Sequence, residues 1–283
     1  MESSTNNKSR CAFLTTIYPM PQKHLIEFFD SLENQTYSKF DVVVVNDGFE
    51  DFVSIKTRYK LLNIIELKCS DTPAKNREYG INYAKNNGYE KLLFGDSDDS
   101  FSKNRVKISL DLLNKYDIVV NDLSLFSNEG LYDVKYISNR LSSGSEVSLG
   151  FVRDKNIFGF TNTAINLNKI PRVTFDPNIV AVDWYFFTDL LLRGAKAAFT
   201  NECVSYYRQH ENSVIGLQGL TKKALKKGIQ VKLNHYKKFT EFIDLYEKMN
   251  HLSMMDNELV YLKLKTCKIN YPLWWEEIKG GEY

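Results

Sequence analysis

FDVVVVNDG, residues Phe40–Gly48, joins a run of four valines directly to a strong turn signal. Consecutive β-branched residues without polar alternation belong to a buried strand, and Asn-Asp-Gly ends such a strand in a loop. Upstream, Cys11–Ile17 (CAFLTTI) has the same character and is closed by Pro19 and Pro21. Leu25, Ile26, Phe28, Phe29 and Leu32 then fall at helical spacing over Gln22–Glu33. Downstream, the pattern predicts a strand at Ile64–Leu67 and a helix that starts near Asp71-Thr72-Pro73, runs through Tyr79, Ile81, Tyr83 and Ala84, and closes near Gly88. A strand at Lys91–Phe94 runs into Gly95-Asp96-Ser97-Asp98-Asp99, followed by a helix over Val106–Leu113 and a strand over Tyr116–Val120. Repeated β-α-β order predicts an α/β fold: a mainly parallel, Rossmann-like sheet flanked by helices on both faces. In such sheets ligands bind beyond the carboxyl ends of the strands, where the Asn46-Asp47 and Asp96–Asp99 loops would lie.

Between Leu123 and Thr163 serine, asparagine and glycine loosen the pattern into short strands and loops. A buried helix is expected at Asp183–Arg193 and a last strand at Ala197–Tyr207. Beyond Gly216 the chain becomes lysine-rich and helical to about Met249; a second helical run, Asn257–Lys268, precedes an aromatic end at Tyr271, Leu273, Trp274 and Trp275. The expected organisation is a flexible leader at 1–10, an α/β domain at 11–215 and a helical C-terminal extension at 216–283. The 283 residues carry a formal charge of +2, so no chain-wide attraction to nucleic acid is expected. Cys11, Cys69, Cys203 and Cys267 are too scattered for a zinc site or a dense disulfide framework, which fits a reduced, cytoplasmic setting. The leader lacks an apolar signal region, and no stretch approaches the ~20 apolar residues of a membrane span.

Asp96, Asp98 and Asp99 place three carboxylates within four residues, just after an apolar strand. Crowded carboxylates repel, and a hard divalent cation that also holds a nucleotide's pyrophosphate is the usual relief. A solvated acidic turn capping the next helix would show the same residues.

The segments Thr15–Pro21, LENQTY (Leu32–Tyr37), FDVVVVNDG, AKNR (Ala74–Arg77) and LFGDSDD (Leu93–Asp99) occur here in the order seen in family 2 glycosyltransferases of the GT-A fold. The chain resembles that family over roughly residues 11–213. The resemblance implies an inverting glycosyltransferase that uses a nucleotide-diphosphate sugar, UDP above all, and Mn²⁺ or Mg²⁺. The implied acceptor is a saccharide or lipid-linked hydroxyl, in surface polysaccharide synthesis. By position, Thr16 and Tyr18 match residues near the nucleotide base, and Asp47 the acid that bonds it. Asn46 stands where the family usually has another Asp. Ala74, Asn76 and Arg77 match residues near the ribose and diphosphate, where Ser97 is also placed. Asp96 and Asp98 match the D-x-D metal motif. IVAVDW (Ile179–Trp184) matches the Glu-Asp-Trp segment, with Asp183 as the catalytic base and Val182 in place of the Glu; a helix cap is a compatible role for Asp183. YRQH (Tyr207–His210) matches a segment whose histidine reaches the metal or diphosphate, making His210 a third candidate ligand. Arg208 faces either phosphate or a surface acid, and FGFTN (Phe158–Asn162) is the candidate for sugar and acceptor specificity.

His24, His235 and His251 are expected to be surface or packing residues. Lys222, Lys223, Lys226, Lys227, Lys237 and Lys238 lie opposite Leu225, Ile229, Leu233, Tyr236 and Ile243 on a helical wheel, which suits a solvated face. The sharper alternative is peripheral contact with the inner face of a membrane, where a lipid-linked acceptor would wait. Two rival functions stand beside the transferase. A nucleotidyltransferase usually needs a glycine-rich phosphate loop near the first strand, and Thr15–Gln22 has no glycine. A non-catalytic nucleotide-sugar-binding protein has only Asn46 and Val182 in its favour.

Overall fold

In the computed structural model, which describes residues 11–127, 130–209, 221–266 and 269–279, the valine run is buried on both sides. Strand β1 (Cys11–Ile17) is followed by helix α1 (Gln22–Glu33) and strand β2 (Asp41–Asn46). Val43 and Val45 face one hydrophobic cluster together with Ala12 and Leu14, whereas Val42 and Val44 face a second with Cys11 and Phe13. Alternate residues thus enter two different cores, which removes any need for polar alternation along the strand.

Helix α2 (Phe52–Lys56) leads to β3 (Asn63–Lys68), α3 (Pro73–Asn86), β4 (Lys91–Phe94), the two-residue β5 (Ser100–Phe101) and α4 (Arg105–Leu112). Next come β6 (Ile118–Ser127), β7 (Gly130–Asp133), α5 (Leu149–Val152), β8 (Thr163–Asn166), α6 (Val182–Leu192) and β9 (Ala197–Arg208). The strand order is β3-β2-β1-β4-β8-β6-β9-β5, with β7 on β6. Among the described residues six of nine strands, β1 to β4, β6 and β9, run the same way. β8 lies antiparallel between β4 and β6. Sequence patterning does not reveal that insertion, because β8 has only four residues and follows a loop-rich stretch. α2 and β5 are likewise too short for periodicity to register. β6 extends well past the expected end at Val120 because β9 pairs with it as far as Phe126–Arg208.

Register sets the height of the loops. β1 pairs with β2 as far as Ile17–Asn46, but with β4 only as far as Leu14–Phe94. The Gly95–Asp99 loop therefore leaves the sheet three residues lower than the Asp47 loop. Gly95 makes that exit: its N–H donates to Leu14 O at 3.1 Å. A Cβ there would lie 2.5 Å from the Phe13 ring and 2.6 Å from the Phe101 ring.

Beyond residue 220, α7 (Lys222–Tyr236) meets Trp184 of α6, and α8 (Ile243–Met254) and α9 (Asn257–Thr266) pack on α7 within the same hydrophobic cluster. The expected continuous helix to Met249 is broken between α7 and α8, where Phe239 and Phe242 turn into the core. Ile243 consequently lies 58% exposed and not on the buried face. All six lysines named above are exposed, as a solvated face requires. Among the described residues no helix is long and apolar enough to cross a membrane. The leader 1–10 lies outside the described residues.

Gly95→Ala is expected to destabilise the protein by about 1–3 kcal/mol, because two buried rings must move. Gly150→Ala in α5, where the nearest atom lies at 3.7 Å, is expected to be neutral or slightly stabilising. Urea denaturation of the two variants measures the difference.

Candidate active site

The loops after β1, β2 and β4 converge with the start of α6 and the end of β9 on a cavity of about 680 Å³. Thr16, Tyr18, Asp47, Asn76, Arg77, Asp96, Ser97, Asp98, Asp183 and Arg208 all line it, so nearly every residue singled out by sequence meets in one place. A second cavity of about 240 Å³, floored by Gly159, Phe160, Thr161 and Asn162, shares Arg77, Asp96, Asp183, Tyr207 and Trp274 with the first. Ala74 is the exception. It is buried in the hydrophobic cluster beneath α3, because in the first turn of that helix its methyl packs towards the sheet. His210 lies outside the described residues.

Each polar side chain is held by a neighbour. Arg77 donates to Thr16 Oγ1 at 2.8 Å and to Asp96 Oδ1 at 2.5 Å, and its guanidinium lies 5.1 Å from the Phe160 ring centre. Asn76 donates to Asp47 Oδ2 at 2.9 Å. Asn46 donates to Glu66 Oε1 at 2.7 Å, and its carbonyl accepts the Phe49 N–H at 2.8 Å. An aspartate at that position would face the Glu66 carboxylate, so the amide is the group that suits this pair of strands.

The acidic loop divides its labour. Asp96 and Asp98 face the cavity, whereas Asp99 is turned inward and accepts hydrogen bonds from the Thr161 hydroxyl and from Arg208 N. Burial, reinforced by Asp98 and Asp96, pushes the Asp99 carboxyl well above the usual range. Burial also raises Asp96, with Asp98 adding to the effect and Arg77 opposing it. Arg208 donates to Asp98 O at 2.9 Å and forms an ion pair with Glu27, so of the two roles expected for it the structure shows the pairing with an acid. Beneath the loop, the fully buried Arg105 donates to Phe94 O and to Asn121 Oδ1, and burial lowers its pKa to about 9. Nothing in the sequence marks Arg105, a single arginine opening an ordinary helix.

Asp183 stands in the first turn of α6 and accepts the Trp184 N–H at 2.7 Å. Burial pushes its carboxyl up to about 7; the Trp184 N–H opposes this, and the nearby Asp96 charge adds to it. Its neighbour Trp184 is clamped between the His235 ring at 3.8 Å and the Trp275 ring at 5.0 Å, and it donates to Val152 O at 2.9 Å. His235 is thus a packing residue, as expected.

Residues 16–169 match the model of glycosyl transferase family 2, more than half of the chain. The chain belongs to glycosyl transferase family 2. A curated relative, an uncharacterized glycosyltransferase of Rickettsia bellii (strain RML369-C), is 28% identical over 113 residues. That match takes in 38% of this chain and spans only 16% of the relative's length. Among solved structures, S. aureus TarS 1–349 in complex with UDP-GlcNAc superposes with a TM-score of 0.63 at 17% identity, over 86% of this chain and 73% of that one. The mannosyltransferase PcManGT from Pyrobaculum calidifontis, in complex with GDP-Man and Mn²⁺, gives 0.58 at 14% identity over 93% and 74%. GalNAc-T7 with UDP, GalNAc and Mn²⁺ gives 0.60 at 13% identity over 93% and 55%. This member of glycosyl transferase family 2 therefore has the GT-A fold that its sequence implies.

Asp183→Asn keeps the acceptor for the Trp184 N–H and removes a charge that the fold disfavours. A carboxyl raised to about 7 in the folded state and ordinary in the unfolded state loses stability as pH climbs from about 4 to 7. The variant is therefore expected to exceed wild type by roughly 1–3 kcal/mol at pH 8 and to converge with it near pH 4. Thermal melts across that range test the sign.

Proposed function

We propose that this chain moves a sugar from a nucleoside-diphosphate donor, UDP by the Asp47 match, onto an acceptor hydroxyl with inversion at the anomeric carbon. The observation that carries this reading is the placement of Asp183 and the Asp96–Asp98 pair on one cavity. Tyr18, Thr16, Asp47 and Asn76 supply an aromatic ring and hydrogen-bonding groups for the nucleoside. Arg77, Ser97 and the two aspartates face the diphosphate.

Two carboxylates on one loop, both open to the cavity, form a donor set that suits a hard divalent cation such as Mn²⁺ or Mg²⁺. Asp96 and Asp98 would hold it; among the described residues no group of three or more acidic, histidine or cysteine side chains is placed to hold a metal ion. His210 is proposed as a further ligand. When bound, the cation would offset charge on the departing nucleoside diphosphate. The presence of Mn²⁺ with GDP-Man in the PcManGT complex, and with UDP and GalNAc in the GalNAc-T7 structure, supports this assignment.

Asp183 takes the proton of the acceptor hydroxyl as that oxygen attacks. A carboxyl near 7 is basic enough to accept a proton and still largely ionised at slightly alkaline pH. In the same proposal residues 11–215 form the transferase unit, and 216–283 is a helical extension packed against it. A saccharide or lipid-linked acceptor fits, and the exposed lysine face of α7 would meet an anionic membrane.

Donor hydrolysis and transfer across a panel of nucleotide sugars, with Mn²⁺, Mg²⁺ or EDTA, tests the proposal. One donor is expected to release nucleoside diphosphate in a metal-dependent way, and Asp98→Ala is expected to lower that rate at least ~100-fold. Asp183→Asn is expected to reduce transfer by about 10²–10⁴-fold. Wild-type kcat/KM should rise with pH and level off above about 7, where the base is ionised. Calorimetry showing no metal-dependent binding of any donor would sink the assignment.

A further inference from the structure

The polar side chains that floor the smaller cavity are already committed within the protein. Asn162 accepts the Gly159 N–H and donates to Asn121 O, Asn156 is bonded to both Phe158 N and Phe158 O, and the Thr161 hydroxyl goes to Asp99. Recognition in that cavity falls to the residues it shares with the larger one: Asp96, Arg77 and Asp183 on the charged side, and Trp274 with Tyr207 on the aromatic side.

Trp274 is held there by a dense set of contacts. Its carbonyl accepts the Asn156 N–H at 3.1 Å, and its ring meets Tyr207 edge-on at 5.9 Å. On either side of it Tyr271 and Trp275 adopt left-handed φ values of 51° and 63°, which a side chain with a Cβ rarely takes without support. The support is a buried acid. Glu276 accepts both arms of Arg140 at 2.7 Å and the Leu273 N–H at 3.0 Å, with Lys155 at 3.6 Å. Tyr136 donates to Pro272 O at 2.8 Å, and Trp275 stacks on Trp184 beside Asp183. Leu273, Trp275 and Glu276 are all buried by this clasp, while Trp274 alone among these four residues stays half-buried, with its indole on the cavity wall.

We propose that the Trp274 indole is the platform for the acceptor, and that the acceptor hydroxyl is carried on a sugar ring. The proposal rests on the transferase reading and goes further by naming the acceptor class. A pyranose has an apolar C–H face that covers an indole and a rim of hydroxyls that pairs with carboxylates and a guanidinium. Trp274 and the Asp183, Asp96 and Arg77 group offer both surfaces on the same two cavities. A plain lipid alcohol would cover the ring but bring a single hydroxyl to Asp183 and no further polar group to the charged wall.

The test uses the full chain with UDP and Mg²⁺ and a panel of methyl pyranosides as probes, read by saturation-transfer NMR, with donor affinity measured by calorimetry in the same samples. Ring protons of at least one pyranoside are expected to saturate. Trp274→Ala should weaken that binding about fivefold or more, a loss greater than any change in donor affinity, and Trp274→Phe should restore most of it. Melting curves for both variants show whether they fold, and Trp274→Phe carries the comparison if the alanine variant does not. Equal pyranoside binding by wild type and Trp274→Ala, or no pyranoside binding to a chain that binds its donor, overturns the platform. Failure of every donor to bind overturns the transferase reading and the platform with it.

Discussion

Three carboxylates, Asp96, Asp98 and Asp183, line one cavity with a fourth, Asp99, buried behind them, and the local architecture depends on keeping them there. Burial, reinforced by their mutual repulsion, raises Asp96, Asp99 and Asp183. Three arginines offset it from different directions. Arg77 binds Asp96 from α3, Arg208 binds the Asp98 carbonyl from β9, and Arg105 lies buried below the loop. Each cation is fixed by contacts of its own, including aromatic rings beneath Arg77, Arg105 and Arg208. The result is an acidic site whose side chains are held in place by the protein itself.

A sheet whose central strands feed two cores supplies the rigidity that such a site needs. Because β4 ends three residues short of β1's pairing with β2, the acidic loop sits lower than the Asp47 loop. That step opens the space between them, while β8, running antiparallel, brings the Phe158–Asn162 segment back to the same edge. The C-terminal helices add a second support. His235 of α7 and Trp275 of the tail beyond α9 grip Trp184, so the residue next to Asp183 is held by chain more than 50 residues further on.

Much of this was legible in order and type. The limits of β1, α1 and β4 follow from prolines and hydrophobic period, and the loops carrying Asp47 and Asp96 lie beyond strand ends as a parallel sheet requires. Asn46 looks like a loss when compared with the family pattern, yet its amide answers Glu66 on the neighbouring strand. That partnership is 20 residues away in sequence and has no periodic signature. Arg105 and the reach of Trp274 into the site are hidden for the same reason: one is a lone arginine opening a helix, and the other belongs to an aromatic tail whose partners, Arg140, Asn156 and Tyr207, are scattered along the chain.

The sequence by itself determined the α/β alternation, the family and the residue types of the acidic loop, because burial periodicity and turn chemistry are local properties of the chain. Only the tertiary structure decided that Asp99 turns inward while Asp96 and Asp98 face the cavity, that Ala74 belongs to the core, and that Trp274 reaches the site. Those outcomes depend on strand register and on which side chains meet across long separations, and no local pattern encodes either.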